Sequence, residues 1–136
     1  MCLTLRLEPD IGEDRLHRLS KSPAAQSMGW RFERPSRLGR HGARLVLHGC
    51  DLLAEDADPD APTWSMRPAE SARLADSIAS LLRQAEDAAV IEALWEGERA
   101  GDDLRVSTAS FVKLVRRSAL GTRTRYVVAR DAETGG

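Results

Sequence analysis

Residues 68–85, "PAESARLADSIASLLRQA", place the hardest constraint on what this chain can fold into. Leu74, Ile78, Leu81, Leu82 and Ala85 recur at offsets that put all five on one side of an α-helix. Pro68 has the fixed φ of a first helical position. An apolar stripe of that length must be covered, and the rest of the chain offers strands to cover it.

Five stretches carry strand patterns. In "CLTLRLE" the leucines Leu3, Leu5 and Leu7 fall on one face, and Thr4, Arg6 and Glu8 on the other. "WRFER" and "ARLVLHG" flank the Pro- and Gly-containing loop "PSRLGRHG" and read as a hairpin over 29–49. "AAVIEALWE" and "TRTRYVVAR" bring the expected number of strands to five. Residues 13–20 make a short helix that "SKSP" stops, with Leu16 and Leu19 inward. "VSTASFVKLVRRSALG" carries the signals of a last helix. Ser107 is the cap, Val106 and Phe111 form a staple, Arg116 and Arg117 occupy the last turn, and Gly121 is the left-handed stop.

The expected architecture is therefore a single α+β domain over residues 1–130, with residues 131–136 as a frayed tail. Its sheet is mixed and five-stranded, with two main helices packed mostly on one face. Two strand–helix–strand units near the C-terminus call for a right-handed crossover and at least one parallel strand pair. A chain of 136 residues is long enough to bury such a core without staples. No stretch reaches the roughly 18 apolar residues of a membrane helix, and the alternating N-terminus is not the apolar run of a secretory leader. Two cysteines form no disulfide framework, so the expected setting is reducing and cytoplasmic.

Charge is unevenly distributed. Residues 1–50 hold nine basic and five acidic side chains, residues 51–104 four and fourteen, and residues 105–136 seven and two. The nets of +4, −10 and +5 add to −1. Of the twenty basic residues eighteen are Arg; their spread along the chain fits codon bias in a GC-rich bacterial genome better than a phosphate-binding run.

Each candidate site has a plainer explanation beside it. Cys2 would be an N-terminal nucleophile if Met1 were removed, yet no Gly follows it to allow close backbone approach; it reads as a strand residue. "HGCD" brings an imidazole, a thiol and a carboxylate together in His48, Cys50 and Asp51, the weak candidates for catalysis. Further zinc ligands could come only from Cys2, His17 and His41, at spacings no finger uses. Asp56, Asp58 and Asp60 match the first offsets of a calcium loop, but Ala61 and Arg67 stand where Gly and Glu are required. No metal and no cofactor is expected. Trp64, in a loop between Pro62 and Pro68, is either an anchor tucked under that loop, the commoner arrangement, or an exposed hot spot. Arg116, Arg117, Arg123 and Arg125 are the remaining binding candidates.

These features favour a small non-enzymatic module that binds another protein, of adaptor, regulatory or immunity type. Self-association stays open. Nucleic-acid binding through the C-terminal arginines is the first alternative, disfavoured by an isoelectric point near 6.3. A Cys/His enzyme or metal site around His48 and Cys50 is the second.

Overall fold

The computed structural model describes residues 3–58, 60–95 and 97–130. Cys2 and the segment 131–136, expected as a strand residue and a tail, lie outside the described residues. The chain runs β1 (Leu3–Pro9), α1 (Glu13–Leu19), α2 (Pro23–Met28), β2 (Arg31–Glu33), β3 (Arg44–His48), α3 (Pro68–Gln84), β4 (Ala89–Trp95), β5 (Asp103–Val106), α4 (Thr108–Arg116) and β6 (Arg125–Val128). A single 3-10 turn, Cys50–Leu52, follows β3.

The class is the expected one, α+β with a mixed sheet, but the sheet has six strands rather than five. Their order is β2-β3-β1-β4-β6-β5, with every neighbouring pair antiparallel except β5 and β6. β1 pairs with β4 over seven positions, from Leu3 opposite Trp95 to Pro9 opposite Ala89. β3 lies on the other side of β1, Leu5 opposite Leu47. Because β3 and β4 both run antiparallel to β1, they run parallel to each other across it, and α3 is the crossover that joins them.

The alternation in β1 does what its sequence requires. Leu3, Leu5 and Leu7 are buried, whereas Thr4, Arg6 and Glu8 are half-exposed. β4 repeats the pattern with Ala89, Ile91, Ala93 and Trp95 inward. The α3 stripe packs on that inward face: Leu74, Ile78, Leu81 and Leu82 are fully buried and share one core cluster with Leu5, Trp30 and Ile91. All four helices contribute to the cluster. The buried Ser77 hydroxyl of α3 donates to Ala24 O at 2.7 Å and accepts from Trp30 Nε1 at 3.1 Å. It thereby ties α2 and the tryptophan to α3 without leaving a buried polar group unsatisfied.

Two elements depart from the sequence reading. α1 ends at Leu19 with Ser20 as its cap, and Ser22 and Pro23 then begin α2. The Ser22 hydroxyl accepts from Ala25 N, Pro23 takes the first turn, and Gly29 closes the helix at φ +84°. Six residues are too few to show a periodic stripe, so only the punctuation could have announced α2. β5 is a four-residue edge strand held on one side only, by parallel pairing with β6. Its four residues give no periodic signal.

The end of α4 also differs. The helix stops at Arg116, and Ser118, not Gly121, adopts the left-handed conformation, at φ 55°. Ser118 gains from this. Its hydroxyl accepts from Met66 N at 2.6 Å and donates to Trp64 O at 3.0 Å, fixing the loop that follows the 3-10 turn. Gly121 is needed for close approach instead. Its N–H donates to Tyr126 Oη at 2.6 Å, and a Cβ there would come within 2.9 Å of the same oxygen.

Ile78→Ala should lower stability by about 2–5 kcal/mol through loss of contacts and an unfilled cavity, read as a fall in the denaturation midpoint. Gly121→Ala should cost about 1–3 kcal/mol by overpacking against Thr124 Oγ1 and Tyr126 Oη. Tyr126→Phe in the Gly121→Ala background should recover part of that loss, which a merely conformational effect at Gly121 would not allow.

Candidate functional site

One face of the sheet carries the helices. On the other face, the register lines up Val46, Arg6, Glu92, Arg125 and Asp103 straight across β3, β1, β4, β6 and β5. A second row places Glu33 beside Arg44, and Val90 beside Glu8 and Val127. This face is charged because the alternation that sends leucines inward sends Arg6, Glu8 and Glu92 outward.

The loop between β2 and β3 folds over one end of it. Gly42 N donates to Glu8 Oε1 at 2.7 Å, and a Cβ at Gly42 would come within 2.9 Å of that oxygen. Ser36 N donates to His41 O at 2.9 Å, and His41 Nδ1 lies 2.9 Å from Gly42 O. Arg44 grips Glu33 through Nε at 2.9 Å and Nη2 at 2.6 Å, and the same carboxylate oxygen is 3.3 Å from His41 Nε2. Loop and strands together enclose a cleft of about 600 Å³ lined by Arg6, Arg40, Arg44, Arg125, Glu8 and Glu92, with Ser36 and His41 at the loop side.

The charges in the cleft are not all engaged. Arg44 is held by Glu33, Arg125 Nη1 lies 3.3 Å from Asp103, and Glu8 accepts the loop amide. Arg6, Arg40 and Glu92 enter no ion pair or side-chain hydrogen bond among the described residues. Two guanidinium groups and one carboxylate are therefore available to a ligand. No motif marked this site, because its residues come from strands and a loop far apart in sequence. The signal was present only in the outward half of each alternation.

The residues singled out from sequence are not brought together. His48 is exposed at the end of β3, opposite Thr4 and outside the cleft lining. Cys50, at the start of the 3-10 turn, is disulfide-bonded, and Asp51 beside it is exposed. The proposed thiol chemistry at Cys50 is corrected on this point: a sulfur in a disulfide is neither a nucleophilic thiolate nor a zinc ligand. No group of three or more His, Cys, Asp or Glu among the described residues could hold a metal ion.

Trp64 is buried to 1% exposure, its ring centroid 4.3 Å from that of Trp95, so it is an anchor and not a surface hot spot. Its backbone N–H donates to Leu120 O at 2.8 Å. Arg116 pairs with Asp76 of α3 at 2.7 Å, on the helical side of the sheet. Arg117 caps the exposed end of α4. Arg123, in a left-handed turn, pairs with Glu98, and Arg125 alone of the four lines the cleft.

Comparison with protein-family models, with curated proteins and with solved structures finds no match to this chain. Because Cys50 is in a disulfide, iodoacetamide should leave it unmodified in unreduced, denatured chain and label it after dithiothreitol. Peptide mass mapping reads both states, and labelling of Cys50 without reductant would remove the disulfide from the account.

Proposed function

We propose that the chain is a non-enzymatic module that binds another protein through the open, charged face of its sheet. The observation that carries this reading is where its charge is left unengaged. Arg6 and Arg40 line a formed cleft with no partner among the described residues. Four of the C-terminal arginines, by contrast, are engaged within the molecule: Arg116 with Asp76, Arg123 with Glu98, Arg125 with Asp103 and Arg130 with Asp87. Arg105 and Arg117 are exposed without such a pair among the described residues, and neither lines the cleft.

Exposed pairs of that kind contribute no more than about 1 kcal/mol each, so pairing alone would not keep a polyanion away. Position is the stronger argument. Arg116 lies with α3 on the helical side, and Arg125 opens on the opposite side. A nucleic-acid backbone lying along one side cannot reach both, which weakens the nucleic-acid alternative. The Cys/His alternative is weakened by the disulfide at Cys50. No helix among the described residues is long and apolar enough to cross a membrane. Of the expected reducing, cytoplasmic setting, the disulfide is the feature that argues against it, since such bonds persist chiefly in oxidising compartments.

Affinity capture from the native organism, with and without nuclease, should retain a protein partner in both arms. A gel shift with DNA or RNA at sub-micromolar protein and about 0.15 M salt, where exposed charges are screened beyond roughly 8 Å, should show no complex. A shift abolished by Arg123→Glu with Arg125→Glu would replace this reading with nucleic-acid binding.

A further inference from the structure

The cleft on the open face offers two kinds of group at once. Arg6 and Arg40 present planar forks suited to carboxylates or phosphates. Glu92 sits between Arg6 and Arg125 in register, Arg6 on β1 and Arg125 on β6, and needs a donor. A ligand that satisfies all three must carry anions and N–H groups close together. A peptide with acidic side chains does so, because each carboxylate is accompanied by a backbone amide. A nucleic-acid backbone supplies anions without donors and would face Glu92 and Glu8 uncompensated.

We propose that this cleft receives an acidic peptide segment of the partner, its carboxylates on Arg6 and Arg40 and its N–H groups on Glu92. The inference rests on the protein-binding reading and names the chemistry that the partner must show. The wall of the site is already in place. Glu8 holds the loop at Gly42, Glu33 holds Arg44 with its side chain only 13% exposed, and neither contact has to form on binding. Arg40 stands on that loop and Arg6 on the central strand, so a bound segment would bridge the two.

The test is titration of a fluorescein-labelled hexaglutamate peptide, followed by anisotropy, against the wild-type chain and the variants Arg6→Gln, Arg40→Gln and Glu92→Gln. Saturable binding is expected, weakened about tenfold by either arginine substitution, as for loss of one charge-assisted hydrogen-bonded pair. Glu92→Gln should also weaken it, whereas a site that attracts charge alone would bind the peptide more tightly once that acid is gone. Arg40→Gln alters an exposed loop residue, so it reports on binding even if Arg6→Gln disturbs the central strand; thermal melts establish which variants fold. No saturation with the peptide, or equal binding by all variants, overturns the proposal, as does tighter binding of a hexanucleotide of matching charge. A dimer in sedimentation, lost in the same arginine variants, would put a second copy in the cleft and overturn the claim of a foreign segment. The captured partner separates the two levels. Retention by Arg6→Gln and Arg40→Gln leaves protein binding standing and removes the cleft, whereas peptide binding without any captured protein does the reverse.

Discussion

The pairing of β1 with β4 is the interaction on which the rest depends. Seven residues of each strand lie side by side in the middle of the sheet, and each alternates between two very different surroundings. Inward, Leu3, Leu5, Leu7, Ile91 and Ala93 meet the helices in one dry layer. Outward, Arg6 and Glu92 stand opposite each other on the open face. A slip of β1 by one residue against β4 would turn Arg6 and Glu8 toward the core and the leucines away from it, at the cost of burying charge. The core and the candidate site are thus two sides of one constraint, and neither can be altered in register without the other.

How much of this was legible in the sequence follows from how local each signal is. The stripe of α3 and the alternations of β1 and β4 are written in consecutive residues, and the structure carries all of them. β5 and α2 were not legible as elements, because four and six residues hold no period; parallel pairing and a cap with a closing glycine define them instead. The cleft was the least legible part. Arg6, Arg40, Glu92 and Arg125 are ordinary solvated charges until the strand order β3-β1-β4-β6 sets them beside one another. Counting charge by segment pointed to complementary faces. The fold instead spends much of that complementarity internally, as Arg123 on Glu98 and Arg125 on Asp103 show.

The irregular segment before α3 has a structural role that its acidic composition obscures. Leu53 bridges to Met66, Thr63 to Gly121, and Thr122 N donates to Pro62 O at 3.0 Å. The segment therefore lies stitched between the 3-10 turn and the chain beyond α4, with Trp64 beneath it against Trp95. The indole Nε1 atoms of both tryptophans are buried without a partner among the described residues. Their burial therefore rests on ring packing, and each N–H weighs against it.

The central place of β1 also sets an order of assembly. Its pairing with β3 closes a loop of about forty residues, but its pairing with β4 joins positions 80 to 92 residues apart, from Pro9–Ala89 to Leu3–Trp95. As the chain leaves the ribosome, one edge of β1 finds its neighbour early, while the other stays bare until 95 of the 136 residues have been made. For that interval the strand that ends up most protected is the one whose ladder of amides and carbonyls is open to any passing edge.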